Sequence, residues 1–236
     1  MLPKPVVDYR RFRFRLLNTP EFYHLKLLLI WPLFMLVFNA LEKDFFGSCY
    51  TPVKIWLDDY IPFCELFAIP YVFWFYYLFM THVYALLYDI RSFRRMSIFI
   101  AVTYFGILII YVLFPTCQEL RPLVPTEPRD NFLTRFMEDY YEYDSNTNVC
   151  PSIHVAGSWA VVCGIWYSRH FSTRGWRTAF VIVSVMISLS TCFVKQHSAL
   201  DVITAFPLCA IAWAIAYFAV PPKKKSQCRQ YADIKG

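Results

Sequence analysis

From residue 27 onward the chain alternates long apolar runs with short clusters of charge. The runs cover about 27–41, 61–88, 97–114, 151–168, 176–194 and 198–220. Crossing a hydrocarbon core of ~30 Å takes about 20 helical residues. The pattern therefore predicts an all-α integral membrane protein, a six-transmembrane-helix bundle forming one domain over 1–236. The first run is short unless Phe22, Tyr23 and the stem of Lys26 lengthen it, and Pro62 and Pro70 stand near the start of the second. Pro115 closes the third, and Pro221-Pro222 stop the sixth. Between the third and fourth runs lies a 35-residue loop, 116–150. Loops of that length are usually functional or disordered. Within it, 131–143 reads as a short amphipathic helix.

Residues 1–25 have neither the apolar stretch nor the cleavage site of a signal peptide. Over 9–17, arginines alternate with aromatics, which suits a segment lying at the membrane interface. A basic tail fills 221–236. Composition agrees: 17% of residues are charged, where soluble domains carry about 25%, and 58% are hydrophobic. The net charge of +6 would suit nucleic acid, but the positive residues sit between apolar runs. A membrane-surface role explains them better, and no nucleic-acid partner is expected. With both termini cytoplasmic, 16 of the 23 Lys and Arg residues fall on the inner side. The loop 116–150, with seven acidic residues, then lies outside. The expectation is a multi-pass protein of the plasma membrane, or of a secretory-pathway membrane. Eight cysteines form no Cys-x-x-C and no Cys/His cluster, so no metal site is expected. Cys163, Cys192 and Cys209 read as small core residues, while a disulfide between Cys117 and Cys150 stays open.

Three polar clusters fall at the extracytoplasmic ends of the predicted helices: 118–122, 150–154 and 190–201. Ionisable groups beside membrane segments are costly and invite a functional reason. Pro151 suits the first position of a helix, whose free N–H groups and dipole favour an anion. Ser152 adds a hydroxyl there and His154 a proton donor. His197 and Asp201 are four apart, so on a helix they share one face. The carboxylate then fixes the ring tautomer and leaves the second nitrogen nucleophilic. Arg121 and Lys195 supply positive charge for a phosphate. His24, His82 and His170 have no such company and read as interfacial or packing residues.

Together these clusters resemble the signature of the type-2 phosphatidic acid phosphatase superfamily, over about 113–203. The signature runs Lys-x6-Arg-Pro, Pro-Ser-Gly-His, Ser-Arg-x5-His-x3-Asp. Arg121-Pro122 matches the first motif, Pro151-Ser152-x-His154 the second, and Ser190-x6-His197-x3-Asp201 the third. The resemblance implies a metal-independent enzyme without cofactor, acting on a phospholipid, sphingolipid or isoprenoid phosphate in the bilayer. It implies that His197 takes up the phosphoryl group, Asp201 orients it and His154 protonates the leaving oxygen. Arg121, Ser152 and the N–H groups of the fourth helix would hold the phosphate. Phe114, Ile153 and Thr191 stand where the signature has Lys, Gly and Arg, and Lys195 is the candidate replacement cation. The P-S-I-H-V-A run and K-Q-H are more similar to a divergent branch that includes inositol phosphorylceramide and sphingomyelin synthase types. The leading expectation is a lipid phosphatase working through a phosphohistidine. A headgroup phosphotransferase is the alternative, and a non-catalytic transporter or scaffold is the reading from a different class.

Overall fold

The computed structural model describes residues 5–43, 49–122 and 131–221; the basic tail from 222 on lies outside the described residues. Seven α-helices follow in order: α1 (Ile30–Glu42), α2 (Ala68–Tyr88), α3 (Ile90–Leu113), α4 (Phe132–Tyr143), α5 (Ile153–Ile165), α6 (Arg174–Phe193) and α7 (Ala199–Ala219). A 3-10 stretch, Tyr23–Leu29, runs directly into α1. Short parallel strands β1 (Thr51–Pro52) and β2 (Thr116–Cys117) join the two long connections.

Polar caps set most of the helix starts, as a helix with four orphan N–H groups requires. Asp89 accepts from the Ser92 amide and hydroxyl, which starts α3 seven residues before the expected run and carries Arg91, Arg94 and Arg95 into it. Arg95 is buried, and its Nε donates to the Val220 carbonyl at 2.8 Å. Asn131, Ser152, Thr173 and Ser198 cap α4, α5, α6 and α7. The second helix begins later than expected, at Ala68, because the residues around Pro62 form an irregular segment tied to the end of α6, with the Cys64 amide on the Phe193 carbonyl and Lys195 on the Ile61 carbonyl. The amphipathic helix appears where the pattern put it. Through Met137 and its neighbours, α4 packs on Ala68 and Tyr71 of α2 and on Val194 after α6.

Among the described residues five helical stretches are long and apolar enough to cross a membrane, which marks a membrane protein. They are Tyr23–Glu42, Glu65–Tyr88, Ile90–Leu113, Arg174–Phe193 and Ala199–Ala219. The expected sixth spanning helix is shorter. At 13 residues, α5 reaches about 20 Å at the helical rise of ~1.5 Å per residue. An apolar helix of that length is more often a core element than a span. Here it is the core: α5 packs against α2, α3, α6 and α7, and Val155, Ala160 and Val161 have no exposed surface. Ser168, just beyond it, donates to Asp89 at the far end of the bundle.

Gly157 lets α5 approach this closely. A Cβ there would lie 2.5 Å from the Tyr104 hydroxyl and 2.8 Å from the Trp74 indole nitrogen. Gly157→Ala should therefore destabilise the protein by about 1–3 kcal/mol through overpacking. Gly175 has no atom within 4 Å of an added Cβ, so Gly175→Ala should leave stability unchanged or raise it. Thermal unfolding of both variants in detergent micelles checks the contrast.

Candidate active site

The turn between α6 and α7 builds the centre. After α6, Lys195 adopts a left-handed backbone (φ 55°), and the amides of Gln196 and His197 both donate to the Thr191 carbonyl. Ser198 then caps α7, and Asp201 closes the cap by accepting from the Ser198 amide at 3.0 Å. The same carboxylate oxygen, Oδ2, lies 3.0 Å from His197 Nδ1. His197 thus precedes the helix, where the spacing had suggested a shared helical face; the cap brings the pair together. Asp201 is fully buried and His197 nearly so.

With Nδ1–H directed at Asp201, the lone pair of His197 is on Nε2. That atom lies 3.4 Å from His154 Nδ1. His154 sits in the first turn of α5, its ring 4.5 Å from Tyr71 and 4.4 Å from Trp74, and its Nε2 has no hydrogen-bond partner among the described residues. Ser152 is fully buried: its hydroxyl accepts from the Val155 amide, and its own amide donates to the Asp201 carbonyl at 3.1 Å. The structure therefore brings His197, Asp201, His154 and Ser152 together at one end of the bundle.

It does not bring the two expected phosphate-binding cations to the cavity. The Arg121 guanidinium donates to the carbonyls of Tyr141, Asp144 and Ser145 at 2.8–2.9 Å and to Gln196 Oε1. It also lies 4.7 Å over the Tyr141 ring. Lys195 points to the other side of its turn, where Nζ donates to the Asp58 and Ile61 carbonyls. Burial lowers the proton affinity of both cations, for Lys195 against the pull of Asp58. A left-handed non-glycine residue costs roughly 1–2 kcal/mol. The carbonyl pair that takes the ammonium helps to hold Lys195 in that state.

Several residues with no assigned role in the sequence belong to the site. A cavity of about 480 Å³ opens beside His154 and His197, and Glu42, Asp144, Asn148 and Gln196 line its polar end. Asp144 Oδ2 accepts from Gln196 and Tyr71, and Glu42 accepts from the Ser145 hydroxyl. Neither carboxylate forms an ion pair among the described residues. Burial raises the Asp144 carboxyl above the usual range, against the pull of His197 and Arg121. Asp58 holds the start of α7 from outside, accepting from the Ser198 hydroxyl at 2.6 Å and the Ala199 amide at 2.7 Å. Its partners lie about 140 positions away, and no local pattern announces them. Cys117 and Cys150 are both free, and Cys150 Sγ lies 3.3 Å from the Thr204 hydroxyl.

Residues 95–226, more than half of the chain, match the family model of the PAP2 superfamily. The chain belongs to the PAP2 superfamily. Membership implies phosphatase- or phosphotransferase-type activity on phosphate esters. Among curated proteins nothing matches, and among solved structures nothing matches. The PAP2 match contains His154, His197 and Asp201 but begins within α3, so α1, α2 and Asp58 stand outside it. Of the PAP2 positions where this chain departs from the signature, Phe114 is exposed and Thr191 is buried, with its hydroxyl on the Ser188 carbonyl.

Arg121→Lys separates a strut from a phosphate ligand. An ammonium keeps the charge but does not reproduce the planar fork that gathers three carbonyls and Gln196. Hydrogen bonds to charged groups contribute about 1.5–3 kcal/mol, so the variant should lose thermal stability and activity together. A variant that loses activity with an unchanged melting temperature would mark Arg121 as a ligand instead.

Proposed function

We propose that the protein is a lipid phosphoryl-transfer enzyme in which His197 is the nucleophile. The observation that carries this reading is the hydrogen-bonded Asp201–His197–His154 line, with His197 and His154 both lining the cavity. Nε2 attacks the phosphorus of a lipid phosphate ester as the ester oxygen departs and takes a proton from the His154 imidazolium, which is left neutral. A phosphohistidine results, and Asp201 stabilises the imidazolium character that develops on the ring. The ester phosphate takes the place of His154 against Nε2, which leaves His154 Nδ1 beside the bridging oxygen. In the second half, water or an alcohol attacks phosphorus, its proton passes to His154, and the P–N bond breaks. The N–H groups of the first turn of α5 and the helix dipole favour the phosphate oxygens. With water as acceptor the protein is a phosphatase.

A second reading, headgroup transfer to a lipid alcohol, has its own support. Arg121 and Lys195 spend their donors on carbonyls, while Glu42 and Asp144 face the cavity. A dianionic monoester meets little compensation in such a site, whereas a phosphodiester carries one negative charge. A headgroup bearing an ammonium would also meet the half-buried carboxylates of Glu42 and Asp144.

His197→Ala should abolish turnover of a lipid phosphate ester by purified protein in liposomes. Asp201→Asn should cut it by orders of magnitude, since it removes the charge that holds the ring tautomer. Product analysis with and without an added acceptor alcohol separates hydrolysis from transfer. Chelator should leave turnover intact and vanadate should inhibit it; activity restored only by a divalent ion would overturn the mechanism.

A further inference from the structure

We propose that the cavity below His197 is the seat of one hydrocarbon chain of the lipid substrate, which enters sideways between α1 and α2. The proposal rests on the reading of His197 as the phosphoryl-transfer centre. The cavity is shaped like an amphiphile. Its polar lining is gathered around His154 and His197, and below that level nearly every lining residue is apolar. From α1 it is lined by Trp31, Met35, Phe38 and Glu42, spaced four, three and four apart, which is one helical face. From α2 it is lined by Trp74, Leu78, His82 and Leu86, spaced by four throughout.

Its length suits one leaflet. At ~1.5 Å per residue the stripe on α1 covers about 16 Å and that on α2 about 18 Å. Half of a ~30 Å hydrocarbon core is about 15 Å, the depth that one lipid tail fills. A chain bound by its phosphate at His197 would therefore run nearly its whole length inside the protein. The side of the cavity is open as well. Met35 of α1 and Phe75 and Phe79 of α2 line it, yet are 46%, 49% and 63% exposed. α1 packs mainly on α3, and α2 packs about equally on α3, α5 and α6, so the seam between α1 and α2 faces the bilayer. The second chain of a two-chain lipid would stay in the bilayer outside this seam.

Burial in the cavity gains no hydrophobic free energy over the bilayer, because lipid tails are equally apolar. Fit along the walls then decides which chains bind well, and obstruction at a given depth should act as a ruler. Val83 lies nine residues below Trp74 along α2, about 14 Å, and Met35 lies about 10 Å from Glu42 along α1.

The test uses the full chain in liposomes, with lipid phosphate esters of short, medium and long tails. Val83→Trp should lower the long-to-short ratio of kcat/KM by about tenfold, by overpacking the deep part. Met35→Trp should extend the loss to medium tails. Ile109→Trp, on the exposed face of α3, should leave the ratio unmoved. A second measurement needs no turnover: a substrate analogue with a photoreactive group at its tail end should label α1 and the lower half of α2. An unchanged chain-length profile in both lining variants would overturn the proposal, as would labelling confined to the outer faces of α6 and α7. Normal turnover with a flat profile removes the seat and leaves the chemistry. Labelling at α1 and α2 without turnover of any ester keeps the seat and removes the His197 reading.

Discussion

Asp201 Oδ2 accepts at once from the His197 ring and from the Ser198 amide, and the rest of the site is built outward from that oxygen. The backbone carbonyl of the same residue receives the Ser152 amide, so the starts of α5 and α7 are fixed to each other. Asp58 then grips the Ser198 hydroxyl and the Ala199 amide from a distant loop. A carboxylate with no exposed surface is expensive unless its hydrogen bonds are made. Here the Ser198 amide and the His197 ring satisfy Oδ2, while Oδ1 is buried without a hydrogen-bond partner among the described residues, and Asp58 steadies the same turn without touching the carboxylate. The His197 ring is thereby held in one orientation at the end of a membrane bundle.

Cations serve the same end by an unexpected route. At the Arg-Pro position of the PAP2 pattern, Arg121 gathers carbonyls from 141–145, the segment that follows α4. Lys195 does likewise for Asp58 and Ile61. Carbonyls in irregular backbone near the membrane need donors, and a guanidinium supplies five in a fixed fork. With those donors engaged, neither cation lines the cavity, and the polar groups beside His197 there include His154, Gln196 and the carboxylates of Glu42 and Asp144. That balance differs from a pocket with free cations, and it is why the charge of the substrate matters to the reading.

Much of this was legible in the sequence, and the limits have physical causes. The apolar runs located the five long helices, and Asn131 with its amphipathic run marked α4, because cap and periodicity are local properties. His154, His197 and Asp201 were legible as chemistry, though the reason for their proximity was not. A shared helical face and a helix cap give the same spacing of four, and only the backbone at Lys195 separates them. The role of Arg121 was illegible for another reason: its acceptors are carbonyls, and every residue has one. Glu42, Asp58, Asp144 and Gln196 meet the centre through contacts far apart in the chain, which no local pattern encodes. The shortness of α5 was masked because Trp166 and Tyr167 continue its apolar character after the helix has ended.

The 13 residues of α5 have a consequence for how the protein is made. A helix of that length matches the bilayer poorly when alone, so it gains its position from α2, α3, α6 and α7 closing around it. His154 belongs to its first turn. Before the later helices α6 and α7 have been inserted, the nascent chain contains neither His197 nor a fixed place for His154. On the proposed mechanism, reactivity toward phosphate esters is thus withheld until synthesis of the bundle is essentially finished.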